Sequence, residues 1–166
     1  EHGTSRQEAL SLQWSDIDFD YEGRGMIRFY RTKNKNERTE FLMPNTRKAL
    51  IAWRDHVDWM RHRKRITPTD SNYVFSRLDG PPIKRFDSAW RRICKMSGIT
   101  NFHYHDLRHT FCSSLIMSGS SLKDVKEMIG HRDIEMTDRY SHLTALHKRK
   151  RQAHLAAYYD SESRVG

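Results

Sequence analysis

The chain has 166 residues, with 30 Lys and Arg against 21 Asp and Glu, a net charge of +9 and a pI near 9.8. That length buries a core without disulfide or metal staples, the 36% hydrophobic content excludes a disordered chain, and no apolar run reaches the roughly 18–20 residues of a membrane span. The start, EHGTSRQEAL, has no apolar signal segment, and Cys94 and Cys112 form no CxxC pair, so a reducing, cytoplasmic setting is expected; the positive balance points to a polyanion, nucleic acid first.

Thr4–Leu12 reads as a helix with no evident start signal, broken by Trp14-Ser-Asp-Ile-Asp18. Met26–Arg31 and Arg38–Met43 alternate and are rich in strand formers, with the polar turn Thr32-Lys-Asn-Lys-Asn-Glu37 between them, which predicts a β-hairpin with a charged tip. Pro44-Asn45 ends the second strand, and Asn45 is the expected cap of a helix whose Leu50, Trp53, Val57 and Met60 form one stripe. A basic run, Arg61–Arg65, and a loop follow. Tyr73–Phe75 is a candidate third strand, ended by Gly80-Pro-Pro82.

Phe86–Met96 is expected as a helix with Phe86, Trp90 and Ile93 inward, and His105–Met117 as another with Leu107, Phe111 and Leu115 inward. Leu122–Ile129 carries an N-terminal capping box, Ser121-x-x-Asp124, and a C-terminal stop at Gly130. A short helix over Glu135–Leu143 and a last one over Thr144–Tyr159 complete the chain. A small antiparallel sheet among many helices, in segregated order, is an α+β fold, mostly helical.

Three clusters could do chemistry. In His105-Asp-Leu-Arg-His109, His105 and Arg108 lie three apart on a helix and share a face. Two readings fit: a solvated polar face, or a guanidinium fork and an imidazole set for a phosphate. A metal pair at His105 and His109 lacks a third ligand at a recognisable spacing, so no metal is expected. In Ile129-Gly-His131, His131 reads either as a helix-end residue favoured by the dipole or as a functional group in a tight turn. In Thr137-Asp-Arg-Tyr140-Ser-His142, Tyr140 is either a core aromatic or a nucleophile; its hydroxyl, with a pKa near ~10, attacks only with help.

The order and intervals of these boxes, HxxRH, then GH, then TxxYxH, resemble the C-terminal boxes of the tyrosine recombinase (phage integrase) family. Glu8-Ala-Leu-Ser-Leu-Gln-Trp14-Ser-Asp-Ile-Asp18 resembles the segment after that family's first catalytic arginine, and Thr32-Lys33-Asn-Lys-Asn-Glu-Arg38 its lysine-bearing hairpin. The resemblance covers nearly the whole chain. It implies that Tyr140 is the nucleophile, forming a 3′-phosphotyrosyl link to DNA. Arg108 would clamp the scissile phosphate, His105 would assist proton transfer at the nucleophile, Lys33 would protonate the leaving 5′ oxygen, and His131 would hydrogen-bond the phosphate. Cations of this kind stabilise phosphoryl transfer without a metal, so no cofactor is implied.

Two departures stand out. The family's first arginine falls at Ser5; the neighbouring Arg6 is turned by about 100° along a helix. The resemblance also implies that residues 1–166 are one catalytic domain lacking its start, without the family's N-terminal core-binding domain. The implied partners are double-stranded DNA and, in the full-length parent, further copies in a tetrameric synapse; Leu146, Ala153, Ala157 and Tyr158 on the last helix could face a neighbouring protomer or the same chain.

Candidate DNA contacts are Lys35 and Arg38 on the hairpin, Lys84 and Arg85 before a helix, and Arg91 and Arg92 within it; contacts to phosphates give affinity without sequence information. Arg61–Arg65 and Lys148–Arg151 are assigned to solvated charge. Rival readings are a type IB topoisomerase, a non-catalytic DNA-binding module, and a helix-turn-helix regulator built on residues 105–129.

Overall fold

Alternating burial along Met26–Tyr30 (β2) sets the sheet: Ile27 and Phe29 point into the core, while Met26, Arg28 and Tyr30 point away from it. In the computed structural model, which describes residues 1–30, 37–69, 72–130 and 138–162, β2 pairs antiparallel with Ile17–Asp18 (β1) and with Glu37–Phe41 (β3), from Met26↔Phe41 to Tyr30↔Glu37. The expected hairpin forms; its tip, residues 31–36, lies outside the described residues. Gly25 permits the close β1–β2 approach: at φ +86° a Cβ there would stand 3.0 Å from the carbonyl oxygens of both Asp18 and Phe19.

The chain folds as two compact units, Glu1–Arg108 and His109–Gly166. The first holds the sheet, the short helix Arg6–Ser11 (α1), the long helix Pro44–Lys64 (α2) and Asp87–Met96 (α3). Its core joins Leu12, Ile17, Ile27, Phe29, Leu42, Leu50 and Val74. Trp53 packs against that core and donates its Nε1–H to the Val74 carbonyl at 2.7 Å, so the α2 stripe is anchored by a satisfied indole.

Several expectations are corrected here. Helix α1 does have a start signal. Ser5 accepts the Glu8 backbone N–H, and the Glu8 carboxylate accepts that of Ser5, a complete capping box. Asn45 does not cap α2. Pro44 is the first helical residue, and the Glu1 carboxylate takes the Thr46 N–H at 2.8 Å, the Thr46 hydroxyl at 2.7 Å and the Asn45 amide at 2.9 Å, a cap supplied from far along the chain.

Tyr73–Phe75 makes isolated contacts rather than a strand, the bridge Gln13↔Tyr73 and the Ile83 N–H to the Phe75 carbonyl, and the third strand is β1; Pro81 and Pro82 bring no backbone donors to extend a ladder. None of the residues of α3 is buried. Ile93 is 55% exposed, and with Phe86 and Trp90 it lines an open apolar cavity of about 420 Å³ instead of the core. Arg61 is not solvated: it donates to the Leu78 carbonyl and the Ser76 hydroxyl.

Tyr104–Ser118 (α4) starts in the first unit and continues into the second, which adds Leu122–Ile129 (α5) and Ser141–Glu162 (α6). The core of the second unit is Cys112, Ile116, Val125, Ile129 and Tyr140. On α4 the fully buried row is thus Cys112 and Ile116, one residue beyond the expected Phe111 and Leu115, which are partly buried; Leu107 is exposed. The α5 signals hold as read: Ser121 and Asp124 form the capping box, and Gly130 ends the helix at φ 62°. Of the short helix expected over Glu135–Leu143, residues 135–137 lie outside the described ones, and Ser141–Leu143 belong to α6. Among the described residues, no helix is long and apolar enough to cross a membrane.

Candidate active site

The capping box of α1 does more than start a helix. By holding the Glu8 carboxylate at 2.6 Å from the Ser5 N–H, it fixes a buried anion in the first unit. Arg108, 3% exposed, donates through Nη1 to the Gly3 carbonyl at 2.7 Å and to Glu8 Oε2 at 3.5 Å. These two bonds set the plane of the guanidinium. Burial raises the Glu8 pKa, but the Ser5 N–H and the Arg38 and Arg108 charges outweigh it, and the net direction is down. Glu8 is therefore an anion between two cations.

Arg38 is the second of those cations. Its Nε lies 3.7 Å from Glu8 Oε1, it pairs with Glu40, its Nη2 donates to the His2 carbonyl, and its guanidinium covers the Phe29 ring at 4.4 Å. The side chain is only 10% exposed. Its assignment to an outward DNA-contacting patch is thereby corrected: two carboxylates and an aromatic face hold it inward.

His2 closes the cluster. Its Nδ1 lies 2.7 Å from Glu40, and its Nε2 accepts the Met43 N–H at 3.4 Å, so the ring is neutral with the proton on Nδ1. Burial, with the terminal ammonium and Arg38 adding to it, pushes the imidazole down to about 4.

His105, three residues before Arg108 on α4, is exposed, whereas Arg108 is buried. His105 also lines a cavity of about 260 Å³ together with Arg6, His103, Tyr104, Phe86 and Trp90. Arg6, paired with Asp87 at 2.8 Å, therefore opens onto the His105 side. Lys84 and Arg85, in the loop before α3, and Arg91 and Arg92, on α3, are all at least partly exposed. Lys33, Lys35 and His131 lie outside the described residues. Among the described residues, no three His, Cys, Asp or Glu side chains gather as a metal set.

In the second unit Tyr140 is 5% exposed, among Cys112, Ile116, Val125 and Ile129. Its hydroxyl is hydrogen-bonded to His109 Nδ1. Tyr140 is thus both a core aromatic and a phenol with an imidazole at its oxygen. From the sequence, His109 is weighed only as half of a metal pair and Glu8 has no role. The signal for Glu8 was the Ser5-x-x-Glu8 spacing. For His109 it was its position three and seven residues before the buried Cys112 and Ile116, a polar residue beside the helix row that turns inward.

A family model described as the phage integrase family matches residues 1–147. The chain belongs to this family. The matched span contains every box quoted above, HxxRH, GH and TxxYxH, and the Lys33 hairpin. The chain is 28% identical over 153 residues to the integrase of Salmonella phage P22, covering 87% of this chain and 37% of that protein. It is 30% identical over 139 residues to the tyrosine recombinase XerC of Corynebacterium glutamicum, covering 82% of this chain and 42% of that one. The fold is similar to that in the crystal structure of XerA recombinase, at TM-score 0.68 and 23% identity over 92% of this chain and 53% of that one. As a family member the chain spans less than half the length of the curated relatives it matches.

Proposed function

We propose that this chain is the DNA-cleaving part of a site-specific recombinase that cuts and rejoins double-stranded DNA through a 3′-phosphotyrosyl intermediate, without a cofactor. The single observation that carries the reading is the family match over residues 1–147, which takes in all five residues on which the chemistry would depend. On this reading Tyr140 attacks the phosphorus. Arg108, oriented by Glu8 and Gly3, neutralises the non-bridging oxygens; His105 serves proton transfer at the nucleophile; His131 adds a hydrogen bond to the phosphate; and Lys33 protonates the departing 5′ oxygen. The tyrosyl ester keeps the bond energy, so rejoining needs no ATP. Lys84, Arg85, Arg91 and Arg92 supply phosphate contacts. The protein acts on DNA in the cytoplasm of a bacterial or phage-infected cell. The full-length parent assembles as a tetramer on its sites, with the exposed apolar residues of α6, Leu155 and Tyr158 among them, facing a neighbouring copy.

A second reading is favoured by Ser5. The side chain at the family's first arginine position is built into the α1 cap, which suits a DNA-binding module that has lost cleavage. A suicide substrate with a nicked site separates the two. Recombinase chemistry gives a denaturation-resistant protein–DNA band that Tyr140→Phe abolishes while gel-shift retention persists. Retention without any covalent band, in the chain and in its Ser5→Arg variant alike, rejects the recombinase reading. Relaxation of random supercoiled plasmid by the Ser5→Arg chain would instead support a topoisomerase.

A further inference from the structure

The family resemblance gives proton transfer at Tyr140 to His105 and no role to His109, whose Nδ1 is hydrogen-bonded to the phenolic oxygen. Tyr140 is 5% exposed and packed among Cys112, Ile116, Val125 and Ile129, which fixes the ring and so the position of its oxygen against His109. His109 is only half buried and sits on α4 directly after Arg108, within the same helix. A phenol with an ordinary pKa near ~10 is a poor nucleophile at neutral pH, and an imidazole nitrogen in hydrogen-bond contact is the geometry in which its proton can leave.

We propose that His109 Nδ1 is the immediate acceptor of the Tyr140 proton, a catalytic residue outside the HxxR pair. The inference rests on the recombinase reading above and moves the proton-transfer role at the nucleophile from His105 to His109. In the forward step the Tyr140 O–H bond breaks and its proton passes to His109 Nδ1. The phenolic oxygen forms a bond to phosphorus, the bond from phosphorus to the 5′ oxygen breaks, and that oxygen takes a proton from the general acid, Lys33. In rejoining, the flow reverses: His109, now protonated, returns the proton to the departing tyrosyl oxygen. The ring accepts at Nδ1 only when its own hydrogen is on Nε2, so the proposal also fixes the resting tautomer.

Two measurements decide it. Nitrogen-15 NMR of the chain as it stands should show His109 with an unprotonated Nδ1 whose shift moves in Tyr140→Phe. An Nδ1–H tautomer overturns the proposal without touching the recombinase reading. The second measurement is single-turnover covalent trapping in the Ser5→Arg chain, comparing His109→Asn, which keeps a hydrogen-bonding group near the Nδ1 position but no basicity, with His109→Ala. Both should slow tyrosyl–DNA formation roughly 10²-fold or more, within the range for a general base. A substrate whose leaving 5′ oxygen is replaced by sulfur needs no proton on the leaving group; it should rescue Lys33→Ala and leave the His109 variants slow. His109→Asn at the parent rate, or rescued by sulfur, overturns the proposal, with melting curves and gel-shift retention showing that the variant is folded. If Tyr140→Phe still forms the covalent band, or if the Ser5→Arg chain forms none, it is the recombinase reading that fails.

Discussion

Replacing Ser5 with arginine should move stability and chemistry in opposite directions. The Ser5 hydroxyl accepts the Glu8 N–H at 3.2 Å, and losing an N-cap of this kind costs about 1 kcal/mol. For a chain of this size that lowers the melting temperature by roughly 2–4 °C. The same position lies one side chain from Arg108: Glu8 Oε2 is 2.6 Å from the Ser5 nitrogen and 3.5 Å from Arg108 Nη1. A second guanidinium there joins the one already held. By analogy with a single oxyanion donor, worth about 2.7–4 kcal/mol, it should speed phosphoryl transfer by roughly 10²–10³-fold. The assay is single-turnover formation of the covalent protein–DNA band on a nicked suicide substrate, with melting measured on the same samples. Ser5→Ala is the control: the same loss of stability, no gain in rate. A gain below tenfold for Ser5→Arg over the parent would refute the reasoning.

Other outcomes follow from the same cluster and from the surface. Glu8→Gln leaves Arg108 and Arg38 facing each other without their shared anion, and should cost about 3–5 kcal/mol in urea unfolding, as expected when one partner of a buried ion pair is removed. Acid should weaken the fold by a route that can be signed. His2 is held down to about 4 in the fold against 6.5 for a free imidazole, so its contribution is complete above about pH 6.5 and is lost on the way down to about 4; from pH 7 to 5 the loss is about 2 kcal/mol, and His2→Gln should flatten that part of the profile. Glu8, whose pKa is lowered, adds a second loss below the ordinary carboxylate range, seen as a further fall in urea midpoint that Glu8→Gln lacks. Arg91→Ala with Arg92→Ala should weaken DNA binding and reduce the salt slope by about 0.9 for each phosphate no longer neutralised, whereas Arg38→Ala should lower stability and leave that slope unchanged.

The sequence carried the elements whose signals are local. The alternation of Met26–Tyr30, the Ser121–Asp124 box and the Gly130 stop each depend on neighbours a few residues away, and each appears as read. What it did not carry depends on partners distant in the chain. Glu1 caps α2 from forty-odd residues upstream. Arg38 looks like a surface cation until Glu8, Glu40 and Phe29 are seen around it. The α3 stripe has the periodicity of a core face, but periodicity says only that a face is apolar, not that anything covers it. At the site, the boxes containing Arg108, His105 and Tyr140 were legible as a pattern of types and intervals. The hydrogen bond between His109 and Tyr140 joins two of those boxes and has no signature in either alone.

Cys112 has no solvent exposure and packs in the core that holds Tyr140, while Cys94, in the other unit, is partly open. The molecule therefore carries a native stopwatch. A thiol reagent reaches Cys94 without delay, but reaches Cys112 only as often as the packing around the tyrosine parts, so the ratio of the two labelling rates counts those openings against an internal reference in the unaltered chain.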